Sequence, residues 1–299
     1  MGSVHSYIFI VPVGKQIMKA KAQSAGRFVR RHWVILAFLL FIISIVMKPH
    51  ALERFFVYYP DRILVGDPSG IGLAFEDLSL VTEDGVKLHG WFVPCVGSNR
   101  TFLVLHGNAG NISHRVPWIE ILHGLQSHVL IIDYRGYGRS EGDPFEEGLY
   151  RDARAAAAWW SRRFPGPDQK LLLIGESLGG AVAIDLAGHV AASGLILQST
   201  FTSARDMAKT LFPLGLLQPL TGIHFDSTDK IRRIKCPKLF IHGNRDEIVP
   251  FRLGRKLYEL APEPRRFWEV PGAGHNDLIW VAGPDYARTL REFLIQNSL

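Results

Sequence analysis

Three separated stretches carry side chains that could do chemistry as a set. They are Ser177 in Gly175-Glu176-Ser177-Leu178-Gly179-Gly180, Asp246 in His242-Gly243-Asn244-Arg245-Asp246-Glu247, and His275 in Pro271-Gly272-Ala273-Gly274-His275-Asn276-Asp277. A serine hydroxyl is a weak nucleophile at its own pKa and needs a base within hydrogen-bond reach. A neutral histidine can accept that proton and later return it to a leaving group, while a carboxylate fixes the imidazole tautomer and steadies the transient imidazolium. That chemistry is acyl transfer. By itself G-x-S-x-G is three fixed positions filled by common residues, and its bland reading is a Gly-rich turn with an incidental serine. An acid and a base in two later loops argue against the bland reading.

Other residues compete for these roles. His106, in His106-Gly107-Asn108-Ala109-Gly110-Asn111, lies upstream of the serine and reads as a structural hydrogen-bonder. Glu247 neighbours Asp246 and is the rival acid. Asp277 is too near His275 along the chain to orient it and reads as a loop-capping group. Ser140, in the long turn Tyr134–Gly142, has no strand-to-helix elbow around it and reads as a turn residue. The glycine-rich loop at 106–111 lacks the lysine and spacing of a phosphate-binding P-loop.

The elements that must position these residues follow from apolar runs. Phe75–Thr82 and Val86–Val93 read as two strands joined by Asp84-Gly85, a strong hairpin signal. Largely apolar runs at Thr101–Leu105, His128–Asp133, Leu171–Ile174, Leu195–Leu197 and Lys238–Ile241 read as strands, with Arg265–Val270 as the final one, separated by helix-compatible segments such as Glu146–Phe164. This alternation predicts an α/β fold with a mainly parallel sheet covered on both faces. Ligands then meet the sheet beyond the strands' C-terminal ends, where Ser177, Asp246 and His275 all fall. Gly175 and Gly179 would let strand and helix close tightly around Ser177, and the N–H of Leu178, at the positive end of the following helix, faces any developing oxyanion. Between about 201 and 233 the alternation lapses into Leu211, Phe212, Leu214, Leu216, Leu217 and Leu220. This reads as a short cap with an apolar wall, the alternative being a helix pair that completes the core.

Charge separates the chain into two parts. The formal net charge is +6, yet Lys15, Lys19, Lys21, Arg27, Arg30, Arg31 and Lys48 all precede the first acid, Glu53. Removing those seven from 34 basic residues leaves 27 against 28 acids, so the remainder is nearly neutral and no nucleic-acid partner is expected. The basic cluster precedes Trp33–Met47, fifteen uncharged and mostly apolar residues. A short membrane anchor, a cleaved signal peptide and a buried helix are the three readings of such a run. The basic flank and the poor cleavage context at Met47-Lys48-Pro49 favour the anchor. The expected organisation is a basic cytoplasmic segment 1–32, an anchor 33–47, a connector 48–72 and a catalytic domain 73–299 on the non-cytoplasmic side, N-in and C-out. Cys95 and Cys236 lack metal-site or redox spacing and read as inert buried thiols.

With these motifs in view, the chain from about Phe55 onward resembles the single-pass membrane-anchored α/β-hydrolase-domain serine hydrolases of the bud-emergence-suppressor type. HGNAGN at 106–111, DYRGYGRSEG at 133–142, GESLGG at 175–180, HGNRDEIVP at 242–250 and GHND at 274–277 carry the resemblance. It implies an eight-stranded α/β-hydrolase domain with esterase or thioesterase-like activity, and the order Ser177, Asp246, His275 is that of a triad in this fold. It also makes the N–H of Asn108 the second oxyanion donor beside that of Leu178. The expected partners are the lipid bilayer and a small hydrophobic ester or acyl substrate, with no metal or organic cofactor. Gly180 also occurs in serine peptidases of this fold, so a peptidase is the enzyme alternative. A non-catalytic hydrolase-fold scaffold is the alternative from another class.

Overall fold

Buried strands flanked on both faces have no solvent side, so they read as unbroken apolar runs rather than as alternating ones. The computed structural model, which describes residues 32, 33, 36, 51–210 and 222–299, has five such strands, with a half-buried parallel strand at one edge of the sheet and an antiparallel hairpin at the other. In chain order the sheet strands are β1 (Glu76–Val81), β2 (Lys87–Val93), β3 (Arg100–Leu105), β4 (His128–Ile132), β5 (Lys170–Glu176), β6 (Gly194–Gln198), β7 (Lys238–Gly243) and β8 (Arg265–Val270). Across the sheet they run β1-β2-β4-β3-β5-β6-β7-β8. β1 pairs antiparallel with β2, β2 pairs antiparallel with β4, and every other pairing is parallel. The hairpin turns where Asp84-Gly85 predicts it, with Gly85 at φ +83° and the Thr82 N–H donating to the Val86 carbonyl.

Alternate residues of each central strand enter two separate cores. Leu103, Leu105, Leu171, Leu173, Leu195, Leu197 and Phe240 face one side of the sheet. Phe102, Val104, Leu172, Ile174, Ile196, Leu239 and Ile241 face the other. The helices of the unit are α1 (Ala51–Val57), α2 (Val116–His123), α3 (Glu146–Arg163), α4 (Leu178–Ala187), α5 (Ala204–Thr210), α6 (Ser227–Ile231), α7 (Phe251–Leu260), α8 (Leu278–Ala282) and α9 (Pro284–Gln296). α3, α4 and α7 cover the first core, while α2, α8 and α9 cover the second. α3 lies close to its neighbours because Ala153, Ala156 and Ala157 form its buried face, and Glu146, Glu147, Arg162 and Arg163 oppose its macrodipole at the two ends. Each fully buried Leu, Ile or Phe in these layers stabilises by roughly 1.5–3 kcal/mol.

The compact unit runs from Leu52 to Leu299, and the stretch read from sequence as a connector is tied into it. Glu53 and Tyr58 are buried, and the Glu53 carboxylate accepts from both the Tyr58 hydroxyl and the Glu146 N–H. Tyr59–Pro60 then pairs in parallel with Ala109–Gly110. The side chain of Asn111 donates to the carbonyls of Asp61 and Ile63 at 3.1 and 2.7 Å. The backbone of this stretch therefore braces the loop that follows β3. At the predicted cap, α5 and α6 bracket the insertion, and Ile223, Phe225 and Ile231 belong to the first core. Residues 211–221, and with them the proposed apolar wall, lie outside the described residues. So do nearly all of the basic segment 1–32 and of the 33–47 run read from sequence as an anchor. Among the described residues no helix is long and apolar enough to cross a membrane.

Candidate functional site

β5 ends at Glu176 and α4 begins at Leu178, so one residue, Ser177, makes the whole turn. Its backbone lies at φ +53° and ψ −115°, a conformation that a residue with a side chain adopts at a cost of about 1–3 kcal/mol. The surroundings hold it there. The Ser177 N–H donates to the Gln198 carbonyl at 2.8 Å, and the Thr200 hydroxyl donates to the Ser177 carbonyl at 2.8 Å. A Cβ on Gly175 would overlap the Gly179 backbone, and one on Gly179 would overlap the carbonyls of Leu105 and His106. Gly180 is required on the same ground, because a Cβ there would strike the Thr200 side chain. The sequence reading tied Gly180 only to peptidases; its observed role is to let Thr200 reach the turn.

The two later loops converge on this turn. His275 Nε2 lies 3.1 Å from Ser177 Oγ, and His275 Nδ1 lies 2.8 Å from Asp246 Oδ2. A carboxylate beside Nδ1 makes that nitrogen the donor, which leaves Nε2 to accept from the serine hydroxyl. Asp246 Oδ1 accepts the N–H groups of Ile248 and Val249 at 3.0 and 2.7 Å. Burial opposes its ionisation, but hydrogen bonds from His242 and His275 and from the Val249 N–H outweigh burial and hold its carboxyl well below the usual range. Asp246 is thus charged wherever His275 needs a partner. Ser177 and His275 are each 7% exposed, closed in but still reachable.

The competing residues occupy other roles. Asp277 accepts the Gly274 N–H at 2.7 Å and so caps its own loop. Glu247 lies against Gly274, and the acid bonded to His275 is Asp246. The Ser140 hydroxyl donates to the Asp133 carbonyl at 2.7 Å. His106 is fully buried with Nδ1 2.7 Å from the Gly107 carbonyl, and burial lowers its pKa to about 4. Asn108 is fixed from two sides: its side chain donates to the Val57 carbonyl at 2.9 Å, and its own carbonyl accepts the Tyr59 N–H at 2.9 Å and the Tyr137 hydroxyl at 2.7 Å. The preceding Gly107 runs beside Ser177, where its missing Cβ would come within 3.7 Å of the serine Cβ. Leu178 is the buried first residue of α4.

Two neighbours of the site were not singled out from sequence. His242 Nε2 lies 3.3 Å from Asp246 Oδ2 and 2.9 Å from the Val249 carbonyl, so it braces the acid loop. The available signal was a second His-Gly pair at a strand end, matching His106-Gly107. Glu176 pairs with Arg115 at 3.3 Å. Together with His275, Gln198, Trp118 and Trp280 they line a cavity of ≈ 120 Å³ on the α2 side of the histidine. Among the described residues no group of three His, Cys, Asp or Glu side chains is arranged to hold a metal ion. Cys95 and Cys236 are both free thiols, Cys95 buried and Cys236 half-buried.

The arrangement also places the protein among known ones. Residues 98–224 match the family model described as serine aminopeptidase, S33. Protein bem46 of Schizosaccharomyces pombe is 36% identical, over 79% of this chain and 81% of its own length. The α/β-hydrolase domain-containing protein WAV2 of Arabidopsis thaliana is 37% identical, over 76% of this chain and 80% of its own. A membrane protein of Saccharomyces cerevisiae is 37% identical, over 86% of this chain and 93% of its own. Among solved structures, the Pyrococcus furiosus esterase Pf2001 superposes with a TM-score of 0.68 at 25% identity, covering 80% of this chain and 98% of that one. With the fold, its strand order and these relatives in agreement, the chain belongs to the α/β-hydrolase-domain family of bem46 and WAV2.

Proposed function

We propose that the protein is a serine hydrolase that cleaves carboxylic esters or thioesters through an acyl-Ser177 intermediate. One observation carries the reading: a continuous hydrogen-bonded path from Ser177 Oγ to His275 Nε2 (3.1 Å) and from His275 Nδ1 to Asp246 Oδ2 (2.8 Å). Ser177 Oγ attacks the substrate carbonyl carbon as its proton passes to His275 Nε2. Asp246 keeps Nδ1 protonated and stabilises the imidazolium. The N–H groups of Asn108 and Leu178 receive the tetrahedral oxyanion, and preorganised donors of this kind are worth about 2.7–4 kcal/mol each in barrier lowering. Collapse breaks the bond to the alkoxide or thiolate, which takes the proton from His275. Water, deprotonated by the same nitrogen, then attacks the acyl-enzyme, and collapse releases the acid and restores Ser177. Similarity to an esterase at 25% identity supports ester substrates.

The membrane tether belongs to the same reading, with residues 33–47 as the anchor, 1–32 cytoplasmic and the catalytic unit on the other side. The apolar run, with six basic residues before it and Lys48 after it, supports it, as does the relative named as a membrane protein. A serine peptidase is the second reading, favoured by the description of the matching family model. Turnover of an ester chain-length series beside aminoacyl amides decides between them. Esters cleaved by wild-type protein and not by Ser177→Ala, with amides untouched, is the expected result. Amide cleavage dependent on Ser177 would favour the peptidase, and no Ser177-dependent turnover of either would sink both.

A further inference from the structure

A second cavity lies at the opposite edge of the sheet. It measures ≈ 560 Å³ and opens where the C-terminal end of α4 meets the segments leading into β6 and β7. Ser177 starts α4 and Gly188 caps its other end, so the ten-residue helix separates nucleophile and cavity by about 15 Å. The volume falls within the range of small-molecule sites.

Its lining is amphipathic in composition. Ala187, Val190 and Ala192 supply the accessible hydrocarbon surface over the buried Ile184 and Ile234, while the charged residues are one acid, Asp185, against three cations, Lys230, Arg233 and Lys235. The acid is already compensated: Asp185 Oδ1 lies 2.7 Å from Lys230 Nζ, which also sits 4.1 Å from the centre of the Tyr150 ring. Its Oδ2 is within 3.8 Å of Arg154 and 3.7 Å of His189 but has no hydrogen bond. Arg233 and Lys235 form no ion pair among the described residues. The wall they stand on is rigidly held, because the buried Lys238 ammonium donates to the carbonyls of Ile234 and Cys236 at 2.9 and 2.7 Å. The cavity therefore combines an apolar surface with two cations that have no ion-pair partner among the described residues.

We infer that this cavity binds an amphiphilic organic anion, its carboxylate or phosphate-monoester head at Arg233 and Lys235 and its hydrocarbon body along Ala187, Val190 and Ala192. An anion with an apolar body matches both features at once, whereas a cation would meet uncompensated repulsion and an inorganic anion would leave the apolar wall wet. The inference does not depend on what Ser177 does.

Cys236 lines the cavity and is half-buried, and the chain's other cysteine, Cys95, is 6% exposed, so iodoacetamide reads out this site selectively. The full-length protein is alkylated in the presence of octanoate, octyl phosphate, octylamine or inorganic phosphate, with the rate at Cys236 followed by peptide mass spectrometry. Octanoate or octyl phosphate should slow alkylation saturably, about tenfold at ten times the dissociation constant. Octylamine and inorganic phosphate should leave it unchanged. Which of the two anions protects at lower concentration identifies the headgroup. In Arg233→Glu/Lys235→Glu the ratio of rates with and without the anion should return to one, with ester turnover at the wild-type value. Equal protection by octylamine, protection by neither anion, or protection that survives the charge reversal would overturn the assignment.

Discussion

The catalytic edge of the sheet holds two buried aspartates with histidines around them, and only one pair is arranged for chemistry. Asp246, beyond β7, accepts two backbone N–H groups and bonds His275, whose far nitrogen meets the Ser177 hydroxyl. Asp133, beyond β4, accepts the Ile112 N–H at 2.9 Å and lies 3.3 Å from His89 Nδ1 and 3.8 Å from His106 Nε2. There the far nitrogens are already used: His89 Nε2 meets Asp77 at 2.6 Å, and His106 Nδ1 meets the Gly107 carbonyl. An aspartate–histidine pair is thus a general device for fixing loops on this edge. A free second nitrogen, pointed at a hydroxyl on a strained turn, is what distinguishes the site from the brace.

The two pairs should respond very differently to the same substitution. His275→Gln should lower ester turnover by on the order of 10⁴–10⁶. His89→Gln should leave turnover per folded molecule within a few-fold; a large kcat loss there, with melting unchanged, would erase the distinction. Asp246→Asn should cost about 10⁴ in kcat by allowing the wrong tautomer at His275, with little change in KM. A smaller effect is expected from Gly179→Ala, whose methyl would strike two carbonyls of the β3 end. A loss of about 3 kcal/mol, roughly 10 °C in melting temperature, is the expected outcome.

Burial lowers the His106 pKa to about 4 from its ordinary 6.5, so between these values the unfolded chain binds the proton that the folded one refuses. Stability should therefore fall as pH drops from about 6.5 to about 4, by on the order of 3 kcal/mol from this residue alone. His89 has the opposite sign. Burial would lower its pKa, but Asp133 and Asp77 outweigh that and raise it, so its contribution is present below the unfolded value and is lost as pH rises through the folded one. Denaturant melts from pH 4 to 8 should show the acid limb flattened in His106→Gln and the neutral limb altered in His89→Gln. An unchanged acid limb in the first variant would contradict the assignment to His106.

Much of this architecture was legible in the residues because it is written locally. Runs such as Leu171–Ile174 can be read as strands buried on both sides, and Gly175 and Gly179 can be read as a close approach before its partner is known. The proximity of Ser177, Asp246 and His275 followed from their positions just beyond three parallel strands, where topology alone brings loops together. What was not legible depends on contacts between distant segments. Tyr59–Pro60 looks like linker text because its strand is two residues long and exists only against Ala109–Gly110. The contact of His242 with Asp246 needs the space left by Gly254, whose Cβ would overlap the imidazole. Glu146 reads as an ordinary first-turn acid, yet its carboxylate accepts the N–H groups of His224 and Phe225 at 2.7 Å across the fold.

The central claim is that Ser177 is the activated hydroxyl and His275 its base. Reaction of the full-length protein with a fluorophosphonate, followed by peptide mapping, tests it most directly. A single adduct on Ser177, formed at a wild-type rate in His89→Gln and at least about 10³-fold more slowly in His275→Gln, is the predicted result. Folded protein that forms no adduct, an adduct on Ser140 instead, or labelling of Ser177 indifferent to His275 would contradict it.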